Sequence, residues 1–87
     1  MPLPVRVYTT RTCAYCLVAK TLLKRRNIAF EEIDVTNDAG KRTWLVQTTG
    51  QRTVPQIFIG DQSIGGSQEL RALDAQGLLV AMVEGAT

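Results

Sequence analysis

Residues 5–16 read Val-Arg-Val-Tyr-Thr-Thr-Arg-Thr-Cys-Ala-Tyr-Cys, and the rest of the chain can be placed around this segment. Its first five residues alternate in character and are rich in β-branched and aromatic side chains, which predicts a strand over residues 5–9. From Ala14 to Arg26, apolar residues recur at helical spacing and cations close the last turn, which predicts a helix. The two cysteines therefore lie where a strand ends and a helix begins.

The positions of the two cysteines predict different roles for them. Cys13 is expected at the helix N-terminus, where unpaired backbone N–H groups favour a thiolate. Thiols in such Cys-x-x-Cys motifs have pKa values lowered to about 3.5–7.5, against about 8.5 for an ordinary cysteine. Cys16 lies one turn further along, on the same side and less exposed. We therefore expect Cys13 to be the catalytic nucleophile and Cys16 the resolving thiol.

Three other uses of the cysteine pair are compatible with the residues alone. A structural disulfide would close so short a loop that it would remove little chain entropy. A zinc site needs about four ligands, and with two cysteines and no histidine, carboxylates or a second chain would have to complete it. The cysteines could also be ordinary core residues, which their position at a helix start disfavours. Redox chemistry is the favoured hypothesis, and no metal is expected.

The other elements are predicted from apolar alternation, helical spacing, capping residues and glycines. In chain order they are a strand at residues 30–34, a helix from the Thr36-Asn37-Asp38 cap to Gly50, strands at 57–59 and 62–64, a helix from Gly65-Gly66-Ser67 to Gly77, and a helical run over 78–83. The order βαβαββα predicts an α/β fold with a mixed four-stranded sheet covered by helices. Phe30, Trp44 and Phe58 are expected in its core.

Length and composition exclude several classes of protein. The 87 residues leave room for one domain, residues 1–87. The formal net charge of +2 is too small for a cationic face that binds nucleic acid. No apolar run approaches the roughly 18 residues of a membrane span, and the N-terminal residues lack the pattern of a signal peptide. We therefore expect a cytoplasmic protein without nucleic-acid or membrane partners.

Three motifs in this order and spacing resemble those of the dithiol glutaredoxins. They are Tyr-Thr-Thr-Arg-Thr-Cys-Ala-Tyr-Cys at residues 8–16, Arg-Thr-Val-Pro-Gln-Ile-Phe-Ile-Gly at 52–60 and Ile-Gly-Gly at 64–66. The resemblance covers nearly the whole chain. It implies a thioredoxin-like fold, glutathione as the electron donor and co-substrate, and a cis peptide bond before Pro55. The Cys-Ala-Tyr-Cys motif is a variant of the family's Cys-Pro-Tyr-Cys.

The resemblance also implies how the peptide backbone of glutathione would bind. With a cis bond before Pro55, the N–H and C=O of Val54 are expected to be free beside Cys13. An extended tripeptide would pair with them as in strand addition, with Thr53 next to this pairing. Tyr15, which lies between the two thiols, is expected to line the same groove.

A second part of the glutathione site is expected where the last long helix begins. After Gly66, the backbone N–H groups of Ser67 and Gln68 would hold the carboxylate at the γ-glutamyl end of glutathione. Glu69 would attract the amino group at that end. A hairpin exit followed by an ordinary helix cap would use the same residues, so the pattern is compatible with both interpretations.

Two residues depart from the family pattern. Ala14 replaces the proline that usually follows the first cysteine. Thr10 replaces a lysine that usually lies three residues before the first cysteine. The lysine would supply a cation near the glycine carboxylate of glutathione. Arg11 or Arg42 is the candidate replacement, and Arg42 is preferred. For each arginine the alternative is an ordinary solvated side chain.

The function implied by the resemblance is glutathione-dependent reduction of protein–glutathione mixed disulfides and of protein disulfides. The expected partners are glutathione and glutathionylated or disulfide-containing proteins, and a monomer is expected. One alternative is a redoxin that a thioredoxin reductase reduces in place of glutathione. Another is a carrier of a [2Fe–2S] cluster held between two chains by Cys13 and glutathione thiolates. An interaction module without chemistry is the least favoured.

Overall fold

The computed structural model describes residues 2–85 of the chain. In this part it contains four strands and four helices, in the order β1 (Val5–Thr9), α1 (Ala14–Arg25), β2 (Glu31–Asp34), α2 (Ala39–Thr49), β3 (Gln56–Ile59), β4 (Gln62–Gly65), α3 (Ser67–Ala75) and α4 (Leu79–Val83). Between residues 2 and 85, none of the helices combines the length and apolar character needed to cross a lipid bilayer.

The four strands form one mixed sheet in the order β2-β1-β3-β4. β1 pairs in parallel with β2, with Arg6 opposite Glu31, and antiparallel with β3, with Val5 opposite Ile59. β3 and β4 form an antiparallel hairpin whose register shifts between Ile57 and Phe58. Because β1 is a central strand, the Cys-x-x-Cys segment that follows its C-terminal end lies near the middle of that end of the sheet.

The side chains of β1 and β3 point alternately to the two faces of the sheet. Each face therefore presents apolar side chains that pack against helices. The larger set packs with residues of α1, α3 and α4, and its main members are Val5, Val7, Leu23, Ile57, Ile59, Leu70 and Leu79. The smaller set includes the buried residue of α2 and comprises Tyr8, Val35, Leu45 and Phe58. The helix that carries the cysteines is thereby fixed to the larger core.

The helix ends follow from local chemistry. The Asp38 side chain caps α2 by accepting a hydrogen bond from the Lys41 N–H at 2.9 Å. Gly50 ends α2 in the left-handed region, with φ at +74°. In α1, Lys24 and Arg25 occupy the last turn, where cations interact favourably with the helix dipole.

The predicted fold class and strand count are confirmed, and most element boundaries differ by one residue. β2 starts at Glu31 instead of residue 30, because the pairing with β1 begins where Glu31 lies opposite Arg6. α1 ends at Arg25, with Arg26 as its C-cap. The predicted order gave one terminal helix, whereas the structure has two, separated around Gly77. The helical assignment of residues 78–83 is confirmed for Leu79–Val83.

The expectation that Trp44 is a core residue is wrong. Its side chain is 40% exposed, although its ring centroid lies 5.6 Å from that of Tyr8 and 5.7 Å from that of Phe58. Phe58 is buried as expected, and Phe30 is half-buried against the larger core. Trp44 therefore covers the smaller core from outside, which helical spacing alone did not distinguish from full burial.

Candidate functional site

Cys13 lies at the N-terminus of α1, as its position after β1 predicted. It is the N-cap residue, with extended backbone at φ −114° and ψ 107°. Its Sγ accepts a hydrogen bond from the Cys16 N–H at 3.0 Å, so the sulfur takes the place of a capping oxygen. The side chain is half-exposed. This combination provides an accessible sulfur stabilised by a helix N-terminus.

Cys16 differs from Cys13 in burial, and its own pKa is raised. It is 2% exposed, and both cysteines are free thiols. Burial, reinforced by a hydrogen bond with the Cys13 side chain, raises the pKa of Cys16 to about 12. The thiol therefore keeps its proton at neutral pH. Of the two sulfurs, the one that an incoming disulfide can reach is that of Cys13.

The loop before β3 lies against Cys13 and contains a cis peptide bond between Val54 and Pro55, as the resemblance implied. The Cys13 Sγ–H donates to the Val54 C=O at 3.5 Å. The expectation that this carbonyl is free is therefore wrong while Cys13 is a thiol, because the thiol occupies it. No residue between 2 and 85 accepts a hydrogen bond from the Val54 N–H. Once Cys13 loses its proton, the carbonyl is released as well.

The N-terminus of α3 lies beside the same loop. A Cβ on Gly66 would lie 3.3 Å from the Pro55 carbonyl oxygen, so the two backbones are in close contact. Within the described residues, the N–H groups of Ser67 and Gln68 have no hydrogen-bond acceptor. Because Gly66 has no side chain, it cannot cap them. These two backbone donors lie at the N-terminus of α3, next to the Val54–Pro55 loop that contacts Cys13. A helix N-terminus with free N–H groups favours the binding of an anion.

Glu69 caps the start of α3, which is the helix-cap interpretation that the sequence left open. One of its carboxylate oxygens accepts a hydrogen bond from the Gly66 N–H at 2.7 Å, and the same oxygen would lie 2.7 Å from a Cβ on Gly65. The backbone of Gly65 has φ +107°, which L side chains rarely adopt. The expectation that Glu69 attracts an amino group is therefore modified, because one oxygen already holds the start of α3.

Gln56 is a residue that the sequence analysis missed. Its side chain is completely buried, and its Nε2 donates to the Thr53 C=O at 2.9 Å and to Gln51 Oε1 at 3.0 Å. Its Oε1 is buried without a hydrogen-bond partner among the described residues. The amide thus fastens the loop that presents Thr53 and Val54. The available signal was a glutamine directly after Pro55 at the start of an otherwise apolar strand.

The two candidate cations lie in the segment between β1 and α1 and in the first turn of α2. Arg11 donates its backbone N–H to Thr36 Oγ1 at 2.9 Å and lines a shallow depression with Asp34 and Asp38. Arg42 lies in the first turn of α2 and is exposed. Neither guanidinium forms an ion pair within residues 2–85. Within residues 2–85, neither guanidinium forms a hydrogen bond or ion pair with Cys13 or with the Val54–Pro55 loop.

Two further predicted residues, Tyr15 and Thr53, are exposed. Tyr15 is 68% exposed and lines a groove together with Ser67 and Gln68. Thr53 is exposed on the loop before the cis bond. Within residues 2–85 there is no group of three or more histidine, cysteine or acidic side chains arranged to hold a metal ion.

Comparisons with known proteins agree with this geometry. The Glutaredoxin family model matches residues 5–64. Glutaredoxin 3 of Escherichia coli strain K12 is 47% identical over 73 residues, which cover 84% of this chain and 88% of that protein. A glutaredoxin of Pseudomonas aeruginosa is 42% identical over 80 residues, covering 92% of this chain and 95% of that protein.

Solved structures show the same similarity. The crystal structure of a buckwheat glutaredoxin–glutathione complex has a TM-score of 0.89 and 32% identity, covering 97% of this chain and 79% of that chain. The solution structure of a glutaredoxin from Brucella melitensis has a TM-score of 0.89 and 36% identity, covering 99% of this chain and 94% of that chain. The resemblance inferred from the sequence motifs is therefore confirmed.

Proposed function

Since this chain belongs to the glutaredoxin family of thiol–disulfide oxidoreductases, we propose that it uses glutathione to reduce protein–glutathione mixed disulfides and protein disulfides. The observation that carries the proposal is the environment of Cys13. Its half-exposed sulfur accepts a backbone N–H at a helix N-terminus and lies against the cis Val54–Pro55 loop. An extended tripeptide on that loop would have its cysteine next to this sulfur.

The first reaction uses Cys13 alone. Its thiolate attacks the glutathione sulfur of a mixed disulfide, the S–S bond breaks, and the partner leaves as a thiolate that takes a proton from solvent. Glutathione is then joined to Cys13 by a new disulfide. The thiolate of a second glutathione attacks the bound glutathione sulfur, which releases the Cys13 thiolate and oxidised glutathione. The net reaction consumes one free glutathione, returns the partner as a thiol and yields oxidised glutathione.

The second reaction needs both cysteines. Cys13 attacks a protein disulfide, which joins the protein to Cys13 and releases its other sulfur as a thiolate. Cys16 then loses its proton and attacks Cys13, forming the internal disulfide and releasing the reduced protein. Two glutathione molecules reduce that disulfide. Because burial raises the pKa of Cys16 to about 12, we expect its deprotonation to make this route slower than the first.

Glutathione binding is assigned to the backbone groups around Cys13. We propose that its cysteine residue pairs with the N–H and C=O of Val54, flanked by Thr53 and Pro55, and that Tyr15 covers it. The free Val54 N–H supports this pairing, as does the release of the carbonyl when Cys13 loses its proton.

The two ends of glutathione are assigned to different groups. The N–H groups of Ser67 and Gln68, after Gly66, would bind the γ-glutamyl carboxylate, and the second oxygen of Glu69 would attract the amino group. Arg42 remains the preferred cation for the glycine carboxylate, because Arg11 lies in a depression with two carboxylates. A rotation of the exposed Arg42 side chain would be required.

The proposed partners and compartment follow from this chemistry. Glutathionylated and disulfide-containing proteins would be substrates, and the protein would act as a monomer because one chain carries both cysteines. A cytoplasmic location is proposed, because the reaction needs a pool of reduced glutathione and a compartment that keeps thiols reduced.

A glutathione-coupled assay tests the proposal. Reduction of a small glutathione mixed disulfide is measured with glutathione and glutathione reductase, for the natural protein and for Cys13→Ser and Cys16→Ser. We expect Cys13→Ser to be inactive and Cys16→Ser to retain this activity while losing reduction of a protein disulfide. Normal turnover by Cys13→Ser would show that the nucleophile is wrongly assigned. Turnover with thioredoxin reductase but not with glutathione would favour the other electron donor.

The [2Fe–2S] carrier alternative needs a separate measurement. The protein is reconstituted anaerobically with iron, sulfide and glutathione, and its visible spectrum and molecular mass are recorded. Because the proposal assigns Cys13 to disulfide exchange in a single chain, we expect a colourless monomer. A coloured dimer that contains glutathione would support the carrier function instead.

A further inference from the structure

A large open groove runs between α1 and α3, beginning beside the two cysteines. Its volume is about 1110 Å³, and Tyr15, Ser67 and Gln68 lie at the end near Cys13. Pockets for small molecules are usually about 300–1,000 Å³ and enclosed, so this open groove better fits part of a larger partner. The proposed glutathione contacts use only its first few ångströms.

The α1 wall of this groove is unusually apolar for an exposed helix face. Tyr15, Leu17 and Val18 line it, with side chains that are 68%, 62% and 41% exposed. Leu17 and Val18 are among the apolar residues at helical spacing that predicted α1, yet neither is buried. Contiguous exposed apolar side chains beside polar ones are typical of a surface that contacts another molecule.

The middle and far parts of the groove carry positive charge. Arg25 of α1 and Arg71 of α3 line it, and neither forms an ion pair with any residue between 2 and 85. The acidic side chain in the lining is Asp74, and both of its oxygens are bonded to Arg26, at 2.7 and 3.0 Å. Two cations are thus available to a partner, while the carboxylate is already neutralised.

The length of the groove sets the size of the segment that fits it. Ten residues of α1 separate Tyr15 from Arg25, which corresponds to about 15 Å along the helix. An extended peptide advances about 3.3 Å per residue. A segment whose cysteine is at Cys13 would therefore bring its fourth or fifth residue beyond that cysteine to Arg25. Arg71 is four residues after Ser67, or about 6 Å along α3, and would face the second or third residue.

We propose that this α1–α3 groove binds the segment of a protein substrate that adjoins its disulfide, and that the segment is extended, apolar next to the cysteine and acidic at the positions that face Arg71 and Arg25, about three and five residues away. The inference rests on the proposed function, because the attacked disulfide anchors the segment. Apolar contacts with Leu17 and Val18 would hold its first residues, and Arg25 and Arg71 would select the acidic ones.

Two glutathionylated peptides test this proposal. They share one cysteine and the same apolar residues next to it, and carry either glutamates or lysines at the third and fifth positions from the cysteine. Their kcat/KM values are measured at low and at 0.5 M salt, for the natural protein, for the double variant Arg25→Glu with Arg71→Glu, and for Lys24→Glu. Lys24 is a matched control, because it is an exposed cation next to Arg25 that does not line the groove.

We expect the natural protein to prefer the acidic peptide by about 5- to 10-fold at low salt, as two exposed charge pairs would give, and less at 0.5 M salt. The double variant is expected to lose or reverse this preference, while Lys24→Glu changes it less than about 2-fold. All variants are expected to retain their rate with a small glutathione mixed disulfide. Equal rates with both peptides in the natural protein, or equal losses in Lys24→Glu, would overturn the proposal.

A binding measurement separates this proposal from the proposed reaction. The acidic peptide is prepared with serine in place of its cysteine and titrated into isotopically labelled protein, followed by NMR. Shifts concentrated at Val18 and Arg71 are expected, and these do not depend on thiol chemistry. Failure of the small mixed disulfide to react would contradict the proposed function alone. Shifts confined to another surface, or no shifts at millimolar peptide, would contradict the groove assignment alone.

Discussion

Replacing Gln56 with methionine tests whether its buried amide positions the glutathione-binding loop. Methionine has a similar length and fills the same space, but it cannot donate a hydrogen bond. The variant loses the bonds from Nε2 to the Thr53 C=O at 2.9 Å and to Gln51 Oε1 at 3.0 Å. The loop that presents Val54 would then keep its contact with Gly66, the hydrogen bond from Cys13 and the packing of Val54 against the smaller core.

The expected effect follows from these two bonds. A typical internal hydrogen bond contributes about 0.5–1.5 kcal/mol net, so the pair stabilises the loop by about 1–3 kcal/mol. Each 1.4 kcal/mol is a factor of ten in an equilibrium. Because the contact of Gly66 with the Pro55 carbonyl still restrains the loop, we expect the lower part of this range, which is a rise of about 5- to 30-fold in KM for glutathione.

Stability is expected to change much less than glutathione binding. The substitution removes the buried Gln56 Oε1, which has no partner among the described residues, and relieving such an atom gains about 1–3 kcal/mol. Thr53 and Gln51 are exposed, so water can bond to the groups that lose the amide. The two effects on the free energy of unfolding oppose each other.

The assay is a glutathione titration in the coupled reduction of a small mixed disulfide, with a denaturant unfolding curve for each variant. Gln51→Ala is the control, because it removes one acceptor and leaves the Thr53 bond, so its KM is expected to rise less than about 5-fold. A folded Gln56→Met protein with the natural KM would refute the positioning argument. A fall in kcat at saturating glutathione as large as the rise in KM would also refute the argument, because positioning of glutathione is expected to affect KM first.

Three further predictions concern stability. Burial raises the pKa of Cys16 from 9.0 to about 12. The protonated thiol therefore contributes fully to the free energy of unfolding below pH 9.0, and this contribution is lost as the pH rises from 9.0 to about 12. The denaturation midpoint of the Cys16→Ala variant is expected to fall less over that pH range than that of the natural protein. The hydrogen bond from Lys20 lowers the pKa of Glu32. The ionised carboxylate therefore contributes to the free energy of unfolding above about pH 4.5, and this contribution is lost on acidification. The free energy of unfolding of the Glu32→Gln variant is expected to fall less between pH 5 and pH 2 than that of the natural protein. Gly65→Ala, at φ +107° and against the Glu69 carboxylate, is expected to lower the free energy of unfolding by about 1–3 kcal/mol in a urea titration, and an unchanged midpoint would contradict the strain argument.

The order of the elements could be predicted because it depends on local patterns. Alternation in residues 5–9, the Asp38 cap and the stop at Gly50 each act within a few residues, and each appears in the structure as predicted. The position of Cys13 followed from the same reasoning, since a strand-to-helix junction requires little knowledge of distant contacts.

The details of the site depend on contacts between segments far apart in the chain, which local patterns do not specify. The bond from Cys13 to the Val54 carbonyl joins residues 41 positions apart. The direction of Arg11 depends on carboxylates of the loop after β2, and the exposure of Leu17 depends on how α3 packs against α1. The role of Gln56 was hidden for a related reason, because a polar residue at a strand start is usually exposed.

The two outer strands of the sheet affect how this protein behaves at high concentration. Each has four residues, and β2 contributes Glu31, Glu32 and Asp34 to one open side. At the other side, β4 ends in Gly65 beside an irregular register. Negative charges and a broken pairing pattern both discourage a second copy from adding its backbone to the sheet. The protein is therefore expected to resist amyloid-like assembly, although its strands are open to water at both margins.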